Sequence, residues 1–307
     1  MRHLGRFAGC VLLAALLSPA SAAVWLQQRS DDGDAGKTFQ LLQGTFPAGV
    51  PLPPGEADLY VRDLDGTIEH RSIATETPFR FKEPLKGSYH LFARLQQLDG
   101  ETLVITVAKT RTYNRCGDPA DALLSEIRGK TVASHYGKPP MADMPVEIVL
   151  YKPIKRHQVN CCIYSGDLLP FKVYREGKQR TDIELQVTTQ KGWNNTIAPG
   201  QNGTVLFEVP RTTYADIATN KRYREQMLVT ASETVAASGV YKGYAYRQIR
   251  YEVTVPLTYY ASPLEYSSKL GGFLTFLGVI LAFSLGAYYH RKRKRFKEKE
   301  AWFDDHA

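Results

Sequence analysis

A mainly β chain is what this sequence predicts, folded as two immunoglobulin-like or prealbumin-like β-sandwich modules plus one C-terminal transmembrane helix. Three observations predict it. Apolar and polar residues alternate with a period of two through most of the 307 residues, as they do along half-buried strands. Turn signals such as Asp65-Gly66, Asp99-Gly100 and Glu176-Gly177-Lys178 interrupt the alternation at short intervals. Near the end, residues 270–289 carry no charge and are followed at once by Arg291-Lys292-Arg293-Lys294-Arg295.

The segments are justified in chain order. Residues 1–22 read as a signal peptide: Arg2 and Arg6, then an apolar core too short to span a bilayer, then Ala20-Ser21-Ala22 as the cleavage site. Cleavage after Ala22 also removes Cys10. The first sandwich module is expected over residues 23–113, with strands at 57–63, 67–73, 79–81, 89–95 and 103–108. Residues 114–144 break the pattern and read as a connector, with Asp118 placed to cap a short helix. The second module is expected over 145–262, with strands at 146–151, 168–175, 183–189, 204–209, 227–232 and 246–256. Residues 270–289 are the transmembrane helix, and Tyr288 and Tyr289 suit its interfacial belt. Residues 290–307 form a basic tail whose seven Lys/Arg against four acids place it on the cytoplasmic side.

Within the second module one stretch resembles a known family. Met144-Pro145-Val146-Glu147-Ile148-Val149-Leu150 opens it, Ser165-Gly166-Asp167-Leu168-Leu169-Pro170-Phe171 follows, and Gln190-Lys191-Gly192-Trp193 and Asn202-Gly203-Thr204 come later. Together residues 144–210 resemble the carboxyl-terminal half of a periplasmic β-sandwich domain family of unknown function associated with nickel and cobalt uptake. The resemblance implies a sandwich fold and a setting beside transition-metal transport. Relatives implied in metal uptake begin with a histidine-rich end, whereas the expected mature end here is Ala23-Val24-Trp25-Leu26. No family ligand set is carried onto this chain.

The cysteines bear on chemistry. Cys116, Cys161 and Cys162 survive signal removal, an odd number for an oxidising compartment. Adjacent strand-like residues point to opposite sides, so Cys161 and Cys162 are poorly placed to bridge each other. A structural disulfide from Cys116 to one of them, Cys161 being the named candidate, is one expectation. The other is a metal-holding patch of His135, Met141, Met144, His157, Cys161 and Cys162, since thioether, thiolate and imidazole favour a soft or borderline ion. Copper, nickel or cobalt is the ion such a set would take. A third feature is the tyrosine-rich end, where Tyr241, Tyr244, Tyr246, Tyr251, Tyr259 and Tyr260 stand among Lys242, Arg247 and Arg250. It reads either as a partner-docking surface or as core and juxtamembrane packing.

Charge and motif exclude much else. The net charge of +8 is concentrated at the two ends, so the body lacks a nucleic-acid footprint. Gly36-Lys37-Thr38 mimics a phosphate loop, but Asp31 stands where that loop needs glycine. No nucleophile elbow, metalloprotease helix or dinucleotide turn appears. The expectation is a non-catalytic accessory or binding protein in a bacterial cytoplasmic (inner) membrane. It is single-pass, with its amino-terminal body periplasmic, a membrane or envelope protein as partner, and transition-metal uptake or handling as its setting. The alternative is a structural or adhesion-type scaffold that binds other envelope proteins.

Overall fold

The computed structural model describes residues 22–31, 36–52, 57–62, 68–72, 78–81, 87–114, 140–141, 143–151, 154, 162–211 and 223–304. The amino-terminal strands are β1 (Ala23–Asp31), β2 (Lys37–Gly44), β3 (Val50–Pro51), β4 (Ala57–Arg62), β5 (Ile68–Ser72), β6 (Phe79–Phe81), β7 (Gly87–Asp99) and β8 (Thr102–Asn114). Then come β9 (Val146–Leu150), β10 (Ile163–Tyr164), β11 (Leu168–Arg175), β12 (Lys178–Arg180), β13 (Leu185–Thr189), β14 (Asn194–Ile197) and β15 (Val205–Glu208). Two long strands, β16 (Arg224–Tyr241) and β17 (Tyr244–Tyr260), precede a single long helix, α1 (Pro263–Asp304).

The mainly β expectation holds, but the strands do not separate into two independent sandwiches. They form three sheets, and the largest draws on both ends of the chain. Its order is β14-β13-β16-β17-β8-β7-β4-β5, with β10 also paired to β17. The join is parallel: residues 248–254 of β17 pair with 102–108 of β8. Every other pairing along that path is antiparallel. Smaller sheets lie on either side, one of β1, β2, β3 and β6, the other of β9, β11, β12 and β15.

Strand alternation explains the layering. On β8, Leu103, Ile105 and Val107 enter one core with Ile148, Phe171, Val173 and Phe207 of the β9-β11-β15 side. Ala108, on the other face, joins Val24, Leu26, Phe39 and Leu41 of the β1–β2 side, with Leu59, Leu91 and Leu95. A third group, Trp25, Leu42, Phe46 and Leu228, packs β1 and β2 against β16. Thr254 Oγ1 donates to the Val24 carbonyl at 2.5 Å, so β1 also ties to β17.

Pro256 sits inside β17 without breaking it. Proline has no N–H to give a ladder, and it is tolerated where one side of a strand is open. On the side away from β16, the β8 pairing ends at Thr254 and the β10 pairing begins at Tyr259, so Pro256 falls in the gap. At the far end of the hairpin, Lys242 and Gly243 both have positive φ, 48° and 86°. Two left-handed residues make the tight turn whose twist matches its strands, which is why glycine stands second there. Glu176 and Gly177 repeat the device between β11 and β12.

Helix α1 starts before the predicted span and runs through the basic residues without interruption. The stretch Gly272–Arg295 has a mean hydropathy of 1.7 over its most apolar window and is long and apolar enough to cross a membrane. Its side chains are exposed throughout, Phe273, Phe276, Ile280, Leu281 and Phe283 among them. The expected signal peptide, the Asp118 cap and nearly all of the connector lie outside the described residues.

Candidate functional site

The unusual chemistry of the body is a buried ionic cluster between the largest sheet and β9. Residue parity puts it there. On β4 the inward position after Tyr60 is Arg62, on β7 the position before Phe92 is His90, and on β8 the series Leu103, Ile105, Val107 continues to Lys109. Facing them is Glu147, inside the otherwise apolar β9. All four are buried: Arg62 is 2% exposed and Glu147 1%.

The carboxylate of Glu147 is the hub. Its Oε1 accepts from Lys109 Nζ at 2.7 Å and from Arg62 Nη2 at 3.0 Å, and its Oε2 accepts the Met141 N–H at 2.9 Å. Lys109 Nζ also donates to the Ile148 carbonyl at 2.8 Å, satisfying a backbone group of β9. Arg62 Nη2 donates to His90 Nδ1 at 2.6 Å. A guanidinium has no acceptor, so His90 Nδ1 carries no proton and the imidazole is neutral in this arrangement. Both cations lie over the Phe92 ring, each 5.4 Å from its centre.

Electrostatics follow from that geometry. Burial pushes Lys109 down to about 8, although the Glu147 charge opposes the shift. Burial likewise lowers Arg62 against the pull of Glu147. For Glu147, burial alone raises the carboxyl, but Lys109 and Arg62 together outweigh it and hold it below its ordinary value. Beside the cluster is a cleft of about 30 Å³, lined by His90, Lys109, Arg111, Ile148, Phe171 and Leu257. Such a space suits one or two waters and is far below the size of organic-ligand pockets. The arrangement can clamp two sheets together through charge; its carboxylate is enclosed, with both oxygens engaged.

Of the residues expected to hold a metal, Met141, Met144 and Cys162 are among the described ones. Met141 and Met144 are 4% and 1% exposed and lie in the core shared with Phe92, Ile148 and Phe171. Their backbones form a turn, Met144 N–H to the Met141 carbonyl at 3.2 Å, that presents the Met141 N–H to Glu147. Cys162 is half-buried beside Ile163, which belongs to the same core. His135, His157, Cys161 and Cys116 lie outside the described residues, and with them the Cys116–Cys161 pairing. Among the described residues, no group of three or more His, Cys, Asp or Glu side chains is placed to hold a metal ion.

Of the tyrosine-rich end, Tyr251 and Tyr259 are core, and Tyr259 donates its hydroxyl to Glu225 at 2.8 Å. Tyr241 donates to the Gln96 carbonyl at 3.0 Å, whereas Tyr244 is 69% exposed beside Val240 at 71%. The packing reading therefore fits the body of β17, whereas Val240 and Tyr244 at the hairpin tip are exposed. Sequence reasoning passed over Arg62, His90, Lys109 and Glu147. A parity signal was available only for Lys109, which follows Leu103, Ile105 and Val107; Arg62, His90 and Glu147 occupy positions where the local alternation already allows polar residues. No family model matches the chain, and no curated protein matches it.

Proposed function

We propose that this chain is a non-catalytic, single-pass membrane protein of a bacterial envelope. Its β body stands on the periplasmic side of the inner membrane and the basic end of α1 on the cytoplasmic side. The body acts as an accessory or binding subunit for a membrane or envelope protein, in the setting of transition-metal uptake or handling. The observation that carries the reading is α1: about 63 Å of helix at 1.5 Å per residue, without a charged residue over 272–289 and exposed on every side there, with Arg291–Arg295 beyond that run. The described stretch Gly272–Arg295 buries none of its apolar surface in its own protein, and such a surface needs another apolar medium. Cations flanking a span stay in the cytoplasm, which sets the direction.

The topology is tested by reporters fused after Ala307 and within the body. A cytoplasm-only signal from the first and an export-only signal from the second are expected; the reverse pattern, or alkaline extraction of the whole chain from membranes, removes the reading. The metal setting is tested on the purified full chain by mass spectrometry. Copper, nickel or cobalt should fall in the His157→Ala/Cys161→Ser/Cys162→Ser variant, and equal content removes that part. The scaffold reading is favoured by one observation, the exposed Val240 and Tyr244 at the hairpin tip. Affinity isolation separates the two: a co-purifying transporter supports the accessory role, and wall or outer-membrane partners support the scaffold.

A further inference from the structure

Helix α1 does not stop where the apolar span ends. It continues through His290-Arg291-Lys292-Arg293-Lys294-Arg295 to Asp304, and the side chains of residues 290–295 are all exposed. That changes what the basic run can bind. Five cations on a flexible tail form a diffuse cloud, whereas five on a helix are fixed in direction. At 3.6 residues per turn, successive residues step by about 100°, so residues 291–295 point around the whole circumference. They make a collar, not a stripe.

A collar and a stripe suit different partners. A protein docking on a helix meets one face, read at spacings of three and four residues. A collar meets surroundings that are alike in every direction, and at the end of a membrane span those are the lipid headgroups. The dimensions agree as well. Five residues rise about 6 Å, and the headgroup layer of one leaflet is about 5–8 Å thick, taking a bilayer of about 40–45 Å around a core of about 30 Å. Tyr288 and Tyr289, both exposed and separated from the collar by His290 alone, mark the apolar boundary at the right height.

We infer that the Arg291–Arg295 collar binds the phosphate groups of anionic phospholipids and gathers them around the cytoplasmic end of α1. The inference rests on the membrane-spanning reading of α1 given above. Attraction of this kind is through charge, worth about a fivefold change in affinity for each juxtamembrane Lys or Arg, and it is screened within a Debye length of about 10 Å at 0.1 M salt.

The test reconstitutes the full chain in vesicles of phosphatidylcholine mixed with a minority of phosphatidylglycerol, extracts it gently, and measures co-purified lipid by mass spectrometry. Phosphatidylglycerol should be enriched several-fold over its share of the vesicle. The enrichment should fall fivefold or more in Arg291→Gln/Arg293→Gln/Arg295→Gln and persist in Arg291→Lys/Arg293→Lys/Arg295→Lys. Raising salt during extraction should reduce it for the unaltered chain, a readout that does not depend on how any variant inserts. Lipid recovered in the vesicle ratio, or enrichment indifferent to salt and to the glutamine changes, overturns the collar while leaving the anchor intact. A chain that remains in solution instead of entering the vesicles overturns the anchor itself.

Discussion

Glu147 carries two buried cations, and its removal is the sharpest single-residue test of the fold. Glu147→Gln keeps the shape but leaves Arg62 and Lys109 enclosed without a counter-charge, which costs about 3–5 kcal/mol. Chemical denaturation should show the loss, and a change below about 1 kcal/mol would mean the cluster is wetter than its burial indicates. The pH dependence has a definite sign at each end. Glu147 titrates lower when folded than unfolded, so its contribution is complete above its ordinary value of 4.5 and is lost as pH falls through the folded one. Lys109 titrates near 8 when folded against 10.5 when unfolded, so the unfolded chain binds more protons between those values. Stability of the natural chain should therefore rise from about pH 8 toward 10.5 relative to Lys109→Met, as the charge enclosed in the fold is discharged. Parallel curves for the two proteins in denaturant titrations across that window would refute the assignment.

Among elements, the strands with strict alternation were legible and those that depend on a partner strand's ladder were not. Leu59 and Val61 of β4, Leu91 and Ala93 of β7, and Leu103, Ile105 and Val107 of β8 announce their cores by period. In β16 the fully buried alternation ends at Ala231, and from Ser232 on only Val235 and Tyr241 pack against the core, both partly buried. Residues 233–241 are nonetheless strand, because β17 supplies their ladder from Tyr244 to Tyr251. Local sequence carries no mark of a partner that takes over the pairing. The turn that closes this hairpin is testable. Gly243 has open space where a Cβ would stand, so Gly243→Ala charges only the left-handed backbone, about 1–2 kcal/mol. A larger loss in thermal unfolding would reveal contacts at the tip that its exposure denies. In α1, Ile280→Arg places a charge near mid-span and should cost about 3 kcal/mol of insertion, read as a shift from membrane to soluble fraction.

At the scale of the molecule, two sandwich modules were the natural reading because each half of the chain has its own alternating strands and turns. What joins them is the parallel contact of β8 with β17, between residues about 146 apart in sequence (Thr102 and Gln248), and no local pattern encodes a pairing at that distance. The consequence is cooperative. Trp25 reports on the β1–β2 side and Trp193 on the turn after β13. In variants keeping only one of these tryptophans, the two denaturation curves should coincide, as they do when a fold melts as a unit. Separate midpoints would restore two autonomous halves. The charged cluster was illegible for the same reason: Arg62, Lys109 and Glu147 come from three strands, and only the assembled sheets bring them within 3.0 Å.

The position of β17, flanked by β16 and β8, bears on the timing of export under the proposed topology. A polypeptide threaded outward from its amino end delivers β8 well before the strand that will lie against it. Until then the margin of β8 stands bare, a template for any passing strand. The missing strand arrives just ahead of α1, so closure of the barrier-facing body and arrest in the bilayer become nearly simultaneous events. Under that topology the edge of β8 would stay open until β17 follows it, just ahead of α1.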